Sequence, residues 1–512
     1  MRKLLIPLLL LFVVLPSAFA GGRITHRMRN GQELTFLRHQ ALQPVSPSPD
    51  AAWDANKIYR IPVVLFSFAD CDFSWDDPHA YYDRMFNERG YNLGVGPGCV
   101  ADYFLAQSGG LFHVQFDVIG PVKLSSKQKS SGTAENRGYS QITEALRAVD
   151  PEVDYSLYDW DGAGAVHAVI LIYAGYGGNE LTKDNVTDGC IWPNSGYLGV
   201  SADGVRLRYF SVSNELWSNN ASAGIGTIIH EYCHTFGLAD LYPTSDNSSE
   251  YAVVDEWDLM DGGCYSGDGW CPVNLSSHER ELMKWQTPVD LITTTDVTDM
   301  PPFDQSGLAY RILNDAYPNE FYLLENRQHV GWDLMLPGHG LVIAHVDYDD
   351  GVWEGNSVNA DPAHHRYDLF HADGLDFNYF QSLYGTRNKL DAYGRSIRLQ
   401  HSPYPFTDSL GVVNRALTDT TVPAAHLYHA RSDGSLFMGK PITQIQETGS
   451  LISFHFSDSP DAITTLPAEA APLAVYDLHG HSLPFGIAEK SLSSGLYIIK
   501  YSDGTTKKCI RR

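Results

Sequence analysis

The sequence is poor in positive charge and in long apolar runs. Lysine and arginine total 36 against 61 aspartates and glutamates, which gives a formal net charge of −25 over 512 residues. This balance disfavours nucleic acid and anionic membranes as partners, because phosphate binding needs clustered cations. No stretch beyond the N-terminus approaches the ~18 apolar residues of a membrane span. We therefore expect a soluble protein without a transmembrane segment, whose acidic loops can also attract calcium ions.

Cysteine is scarce as well, with only 7 residues, and the odd number leaves at least one of them unpaired within the chain. Cys264 and Cys271 bracket a short loop, and a local disulfide is predicted there if the compartment is oxidising. Cys233 is expected to be a small buried thiol.

The N-terminus resembles an export signal. A basic start at residues 1–3 is followed by an apolar run at 4–15 and by small residues that end at Ala20. This pattern predicts a signal peptide over residues 1–20. Residues 21–55 are basic and polar, with a proline-rich end, and we interpret them as a pro-segment or leader.

Residues 230–240, H-E-Y-C-H-T-F-G-L-A-D, carry the clearest chemical signal. His230 and His234 are four positions apart, so on a helix they share one face and can bind one metal ion. Glu231 is placed to hydrogen-bond a metal-bound water without being a ligand. Gly237 lets the backbone leave the helix in a left-handed turn, after which Asp240 can return as a third ligand. Two imidazoles, a carboxylate and a water form the tetrahedral zinc site with one open position that is typical of catalysis.

The residues around the motif favour a helix buried in a domain core. Ile225, Ile228, Ile229 and Tyr232 follow a helical spacing. The alternative is a buried helix whose histidines only satisfy hydrogen bonds. We disfavour it because burying two histidines, a glutamate and an aspartate without a metal is costly.

Five further residues are candidates for the same site. Met260 follows Asp240 by about twenty positions, in the register where metzincin-type proteases place a methionine turn beneath the zinc. Its thioether would pack against the site and would not ligate. Tyr242 and Tyr265 are candidates to stabilise a developing oxyanion, although either can be an ordinary core or surface tyrosine. Cys71 and Cys99 are alternative caps of the zinc in a latent form.

The segments ahead of the motif predict an α+β catalytic domain over residues 56–290. Buried strands are predicted at 60–69 and 165–173, an alternating strand at 112–118 and a helix at 100–108. The loop at 159–167 is similar to an acidic calcium loop, but Ala163 and His167 stand where further oxygen ligands are expected. We interpret this loop as a glycine-rich turn and retain calcium only as a second cofactor candidate.

After about residue 290 the pattern changes to strands and turns. Strands at 320–327, 340–347 and within 442–456 favour a β-sandwich accessory domain over residues 291–458. His364, His365 and His371 offer either a second metal site or, in the interpretation we favour, a polar surface loop. Residues 459–472 have the composition of a linker. Residues 473–512 then predict a small all-β unit with a basic end.

The region from roughly residue 56 to 458 resembles the immune inhibitor A family of secreted, metzincin-like metallopeptidases. The similarity lies in the zinc motif and in the strings D-Y-F at 102–104, F-D-V-I-G-P at 116–121, I-Y-A-G-Y at 172–176, W-D-L-M at 257–260 and E-N-R at 325–327. It implies zinc binding by His230, His234 and Asp240, with Glu231 as the base. Two departures are the loss of acidic positions at 159–167 and Cys99 in place of a small serine.

The C-terminal unit resembles the sorting domain of type IX secretion cargo in Bacteroidetes. The shared strings are V-Y-D-L-x-G at 475–480, S-G-L-Y-I-I-K at 494–500 and the basic end. The resemblance implies the type IX machinery as a partner, export across the outer membrane and removal of the domain. The mature protein would then be secreted or attached to the outer cell surface.

Together these features predict a secreted zinc endopeptidase that cleaves proteins or peptides. Three alternatives remain: a gluzincin that takes Glu250 or Glu256 as its third ligand, a surface adhesin or binding protein with a decayed protease domain, and a zinc hydrolase of non-protein amides. The intact motif and Met260 argue against decay, and nothing in the sequence supports the last alternative.

Overall fold

The computed structural model describes residues 53–129, 136–182, 185–244, 253–375 and 399–459, together with the backbone of short strands near both ends of the chain. The predicted signal peptide lies outside the described residues, as do most of the predicted leader and linker. None of the described helices has the length and apolar character needed to cross a membrane.

The helices are α1 (Pro78–Asn87), α2 (Val100–Gln107), α3 (Tyr139–Val149), α4 (Gly226–His234), α5 (Ser277–Leu282), α6 (Phe303–Ser306) and α7 (Asp350–Glu354). Short 3₁₀ segments span Asp150–Glu152, Tyr155–Tyr158, Asp255–Trp257, Gly262–Gly269 and Gly331–Met335.

The strands are β1 (Thr25–Arg27), β2 (Glu33–Thr35), β3 (Ile58–Ser67), β4 (His113–Lys123), β5 (Ala165–Tyr176), β6 (Glu180–Leu181), β7 (Asn194–Ala202), β8 (Val205–Leu216), β9 (Val289–Asp290), β10 (Thr295–Met300), β11 (Ala309–Leu313), β12 (Glu320–Arg327), β13 (Gly340–Asp347), β14 (Tyr367–Leu369), β15 (Phe406–Thr407), β16 (Val413–Asn414), β17 (Ile442–Thr448), β18 (Leu451–Phe456), β19 (Pro472–Tyr476), β20 (Ser482–Leu483), β21 (Gly495–Tyr501) and β22 (Thr506–Arg511).

A five-stranded sheet in the order β4-β3-β5-β8-β7 forms the centre of the N-terminal region. The β3–β4, β3–β5 and β5–β8 pairs are parallel, and only β7 runs antiparallel to its neighbour. The mixture of helices and strands confirms the coarse prediction. The predicted buried strands correspond to β3 and β5, and the predicted alternating strand corresponds to β4. The arrangement is α/β rather than the expected α+β, because a mostly parallel sheet is covered by helices on both faces.

The two faces of this sheet pack into different cores. On β3, Ile61 and Val63 point to the core that contains α1, α2 and α4, whereas Val64 and Phe66 point to the core that contains α3. Strands that are buried on both sides consist of near-continuous apolar runs, which is why β3 and β5 are readable in the sequence.

Two of the sheets that follow the helix with the histidine motif pack against each other. One has the order β14-β13-β12-β11-β9 and the other the order β10-β18-β17. Tyr322 and Leu324 of β12 share a core with Ile452 and Phe454 of β18, so the two sheets face each other. The strands expected in residues 291–458 are therefore present.

The opposite face of the β14-β13-β12-β11-β9 sheet packs on the N-terminal region. Phe321 and Leu323 of β12 and Ala344 of β13 belong to the same hydrophobic core as Ile228 and Ile229 of α4. The core is thus continuous across residue 290. The consequence is that a strand-rich region remote in sequence lies next to the histidine motif.

The terminal strands form small sheets of their own. Strands β1 and β2 join β6 in a three-stranded sheet, and β19 to β22 form a four-stranded sheet in the order β20-β19-β21-β22. Strands β19 and β21 coincide with those predicted for the C-terminal unit. Its role in sorting stays a prediction.

Candidate active site

Helix α4 carries His230, Glu231 and His234, and every one of its residues is buried. The helix begins at Gly226, where its backbone passes very close to the 3₁₀ segment at Gly262–Gly269. A Cβ atom at Gly226 would stand 1.8 Å from the carbonyl oxygen of Cys264. Only glycine permits this approach, so the flexible residues ahead of the motif allow the helix to enter the core.

The turn after α4 brings Asp240 back to the histidines. Gly237 has a φ of 89°, the left-handed conformation that the sequence predicts at this position. Its backbone N–H donates to the carbonyl of His234 at 2.9 Å, which closes the end of the helix. Asp240 then lies fully buried, with 0% of its surface exposed.

The side chains of His230, His234 and Asp240 converge on one point. The two Nε2 atoms are 3.2 Å apart, and Asp240 Oδ1 lies 3.4 Å from Nε2 of His230 and 3.1 Å from Nε2 of His234. Ligand atoms at about 2.0–2.1 Å from a tetrahedral metal are about 3.3 Å from one another. The three separations therefore fit a zinc-sized cation, and among the described residues no other group of three His, Cys, Asp or Glu side chains does so.

The hydrogen bonds behind the histidines fix which nitrogen faces the centre. Nδ1 of His230 donates to the carbonyl of Leu259 at 2.9 Å, and Nδ1 of His234 donates to the carbonyl of Leu238 at 2.8 Å. Because a carbonyl can only accept, Nδ1 holds the proton in each neutral ring and Nε2 presents a lone pair. Two lone pairs and a carboxylate oxygen at these distances repel one another unless a cation or proton lies between them. These three side chains can therefore hold a metal ion.

Met260 lies in a tight turn that adjoins this cluster. It is fully buried, its carbonyl accepts a hydrogen bond of 2.9 Å from Leu241 N, and its N–H donates to Asp258 Oδ1 at 2.8 Å. The preceding residue, Leu259, supplies the carbonyl that orients His230. The turn thus supports both the first histidine and the loop that follows Asp240.

Glu231 is 3% exposed and lies next to the cluster without joining it. Burial raises the pKa of its carboxyl to about 8; the charge of His230 opposes this rise, that of Asp240 adds to it, and that of Arg137 opposes it. Burial thus favours the protonated form of this carboxyl. A group with such a pKa is suited to take up and release a proton near neutrality.

Tyr242 and Tyr265 are both buried beside the cluster, 2% and 4% exposed. The hydroxyl of Tyr242 hydrogen-bonds to Asp240, and that of Tyr265 to Asn179. Burial raises the pKa of both phenols well above the usual value, so both remain protonated donors. Both predicted tyrosines are thus near the site, and Tyr242 contacts a member of the cluster.

Asn356 is a site residue that the sequence did not reveal. Its Nδ2 donates to Asp240 Oδ2 at 2.7 Å, and its Oδ1 accepts from Asp240 N at 2.7 Å. Asn356 follows α7, 116 positions beyond Asp240. A lone asparagine in a region predicted as accessory carries no motif, so no sequence signal could have identified it.

The cysteine predictions have mixed outcomes. The disulfide expected between Cys264 and Cys271 is wrong, because both thiols are free. Cys264 lies near the carboxyls of the site, whereas Sγ of Cys271 faces the carbonyl of Trp332 at 3.5 Å. Cys233 is buried, as expected. Cys99 caps the start of α2 through Asp102 and does not join the metal cluster.

The other predicted binding positions use their polar groups locally. His364 pairs with Asp347 at 2.7 Å, His365 with Asp368 at 3.0 Å and His371 with Ser402 at 2.8 Å, so each histidine has a different partner. In the loop at 159–167, Asp159 and Asp161 accept hydrogen bonds from the backbone of the loop itself. Of the alternative third ligands, Glu256 lies outside the metal cluster and Glu250 outside the described residues.

The fold and the cluster together define a protein with a buried, metal-compatible site that is formed by a helix of an α/β region and the loop that follows it. Comparison with protein families narrows this description. Residues 45–289 match the family model of the immune inhibitor A peptidase M6 catalytic domain. The match supports a peptidase and covers the metal cluster, Glu231, Met260 and both tyrosines, but not Asn356. No curated protein matched the chain.

Proposed function

We propose that the protein is a zinc-dependent endopeptidase of the metzincin type in which His230, His234 and Asp240 hold the metal. The observation that carries the proposal is the convergence of three acceptor atoms within 3.1–3.4 Å of one another. Glu256 was the alternative third ligand, but it lies outside this group. The proposal therefore retains Asp240 as the ligand.

A bound zinc ion would supply Lewis acidity, lowering the pKa of a water molecule and polarising the scissile carbonyl. Glu231 acts as the general base: its carboxylate takes the proton of the attacking water and passes it to the leaving amine. Burial raises the pKa of Glu231 and so stabilises its carboxyl in the protonated form, which exists between the two proton transfers. His230 and His234 are held with Nε2 toward the centre by the carbonyls of Leu259 and Leu238.

Tyr242 and Tyr265 are the proposed candidates for stabilising the oxyanion that forms during attack, because both stay protonated and lie beside the cluster. Substrate is proposed to be an extended protein or peptide segment. Strand β7 is an edge strand of the central sheet, and α4 packs against it and β8. An extended chain can add to such an edge by main-chain hydrogen bonds.

Export is also part of the proposal. Residues 1–20 would direct the chain to secretion and be removed, and residues 473–512 would engage the type IX machinery and place the protein outside the cell. The sequence strings at both ends support this, and the acidic composition suits an exported enzyme.

The proposal is tested by the Glu231→Gln variant of the full chain, assayed on casein or gelatin with a chelator control. We expect proteolysis to fall by about 10²–10⁴-fold while the zinc content equals that of the wild type. Glu256→Gln is the matched control, since it alters a second buried carboxyl in the same region. Undiminished proteolysis in Glu231→Gln with zinc still bound would contradict the assignment, and wild type without proteolysis would favour the adhesin alternative.

A further inference from the structure

Asp240 reaches the metal cluster from a loop rather than from a regular element. Oδ1 is the oxygen that faces the two Nε2 atoms. A carboxylate on a loop can rotate about two side-chain bonds. It therefore ligates well only if its second oxygen is held, which is the usual role of hydrogen bonds behind a metal ligand.

Asn356 makes this hydrogen bond and a second one to the same residue. Its amide nitrogen donates to Oδ2 of Asp240, and its amide oxygen accepts from the backbone N–H of Asp240, both at 2.7 Å. The two bonds tie the side chain and the backbone of Asp240 to one planar amide. Asn356 is 6% exposed, so water competes little for these bonds.

Asn356 is itself fixed by its backbone. It has a φ of 50°, a left-handed conformation that asparagine tolerates far better than most residues. Its N–H donates to the carbonyl of Trp353 at 3.0 Å, and its own carbonyl accepts from Oγ1 of Thr244 at 2.8 Å. The positive φ therefore restricts the residue type at this position. The hydrogen bond from Thr244 joins the turn after α7 to the loop that follows Asp240.

Asn359 attaches the same loop three residues later. Its Nδ2 donates to the carbonyls of Leu241 and Tyr367 at 2.7 and 2.8 Å, so its side-chain donor is used by backbone groups and not by the Asp240 carboxylate. We call residues 356–359 the clamp segment. It lies between α7 and β14. The strands on either side, β13 and β14, belong to the β14-β13-β12-β11-β9 sheet, which packs on the hydrophobic core that contains α4.

We propose that Asn356 is a positioning residue for the Asp240 carboxylate, so that the metal site is completed by a segment outside residues 45–289. This inference rests on the proposed function, because it presupposes that Asp240 is a zinc ligand. Asn356 does not touch the metal or the substrate. It acts by holding Oδ1 of Asp240 toward the two histidines.

The test measures zinc affinity of the full chain by competition with a chelator, together with the absorption spectrum after cobalt substitution. Asn356→Gly removes both side-chain bonds and retains a residue that accepts the positive φ. Asn359→Ala is the matched control, because it removes a buried asparagine from the same segment without touching Asp240. We expect Asn356→Gly to bind zinc about 10–100-fold more weakly and to change the cobalt spectrum, while Asn359→Ala retains the wild-type values for both.

Zinc affinity of Asn356→Gly equal to the wild type would overturn the inference, and so would an equal loss in Asn359→Ala. Asn356→Asp provides a second variant of the same size if the glycine variant folds poorly. It keeps the acceptor for Asp240 N and replaces the donor to Oδ2 by an oxygen, so an unchanged cobalt spectrum in this variant also overturns the inference. Failure of the proposed function is distinguishable, because the wild type would then bind no zinc or Asp240→Ala would bind it as tightly as the wild type.

Discussion

Replacing His278 by phenylalanine is expected to stabilise the protein. His278 lies on α5 and is 4% exposed. Its ring contacts the rings of Phe321 and of Trp353, a residue of α7. Within the described part of the chain neither ring nitrogen of His278 has a hydrogen-bond partner. A buried polar group without a partner costs about 1–3 kcal/mol. Phenylalanine occupies nearly the same space without that cost.

The increase in unfolding free energy that His278→Phe produces is expected to grow as the pH falls. Burial, assisted by the positive charge of Arg311, lowers the pKa of His278 from 6.5 to about 3. Between these values the unfolded chain takes up a proton that the native protein does not. Native stability in this window therefore falls with decreasing pH, by about 1.4 kcal/mol per unit. At pH 5 the loss from this one residue amounts to about 2 kcal/mol, and His278→Phe removes it.

The assay is urea unfolding followed by tryptophan fluorescence at pH 7.5 and at pH 5. We expect the difference in unfolding free energy between His278→Phe and wild type to increase by about 2 kcal/mol on acidification. Substitution of the exposed His79 by phenylalanine gives the baseline for removing a surface histidine. A difference that does not change with pH, or a variant less stable than wild type at both pH values, would refute the reasoning.

Two further predictions concern buried residues that follow position 290. Arg327→Met is expected to cost about 3–5 kcal/mol in urea unfolding, because Arg327 forms buried ion pairs with Glu325 at 3.0 Å and with Asp333 at 2.6 Å; a loss within experimental error would contradict it. Residues 53–290 expressed alone are expected to be poorly folded by circular dichroism and proteolysis, because they lose side chains such as Phe321 and Leu323 from their core, each worth about 1.5–3 kcal/mol. A protease-resistant fragment would contradict this expectation.

The local features of the site were readable in the sequence because they depend on near neighbours. Four-residue spacing on α4 brings His230 and His234 to one face, and Gly237 provides the left-handed turn that returns Asp240. The buried strands β3 and β5 were equally readable from their apolar runs. In these cases a short stretch of chain determines its own structure.

Features that depend on distant packing were not readable. The hydrogen bonds of Asn356 to Asp240 join positions 116 residues apart and leave no pattern in composition or periodicity. The shared core across residue 290 was missed because β12 carries apolar side chains on both faces, and its sequence does not show which elements cover them. Cys264 and Cys271 are close in sequence, but their thiols face different neighbours, so spacing alone gave the wrong prediction.

The central claim is that His230, His234 and Asp240 together hold one zinc ion. It is tested most directly by the zinc content of purified full-length wild type, Asp240→Ala and Glu256→Ala, measured by elemental analysis after dialysis against a weak chelator. We expect one equivalent of zinc in wild type and in Glu256→Ala, and a marked loss in Asp240→Ala. Full zinc content in Asp240→Ala, with loss in Glu256→Ala, would contradict the account.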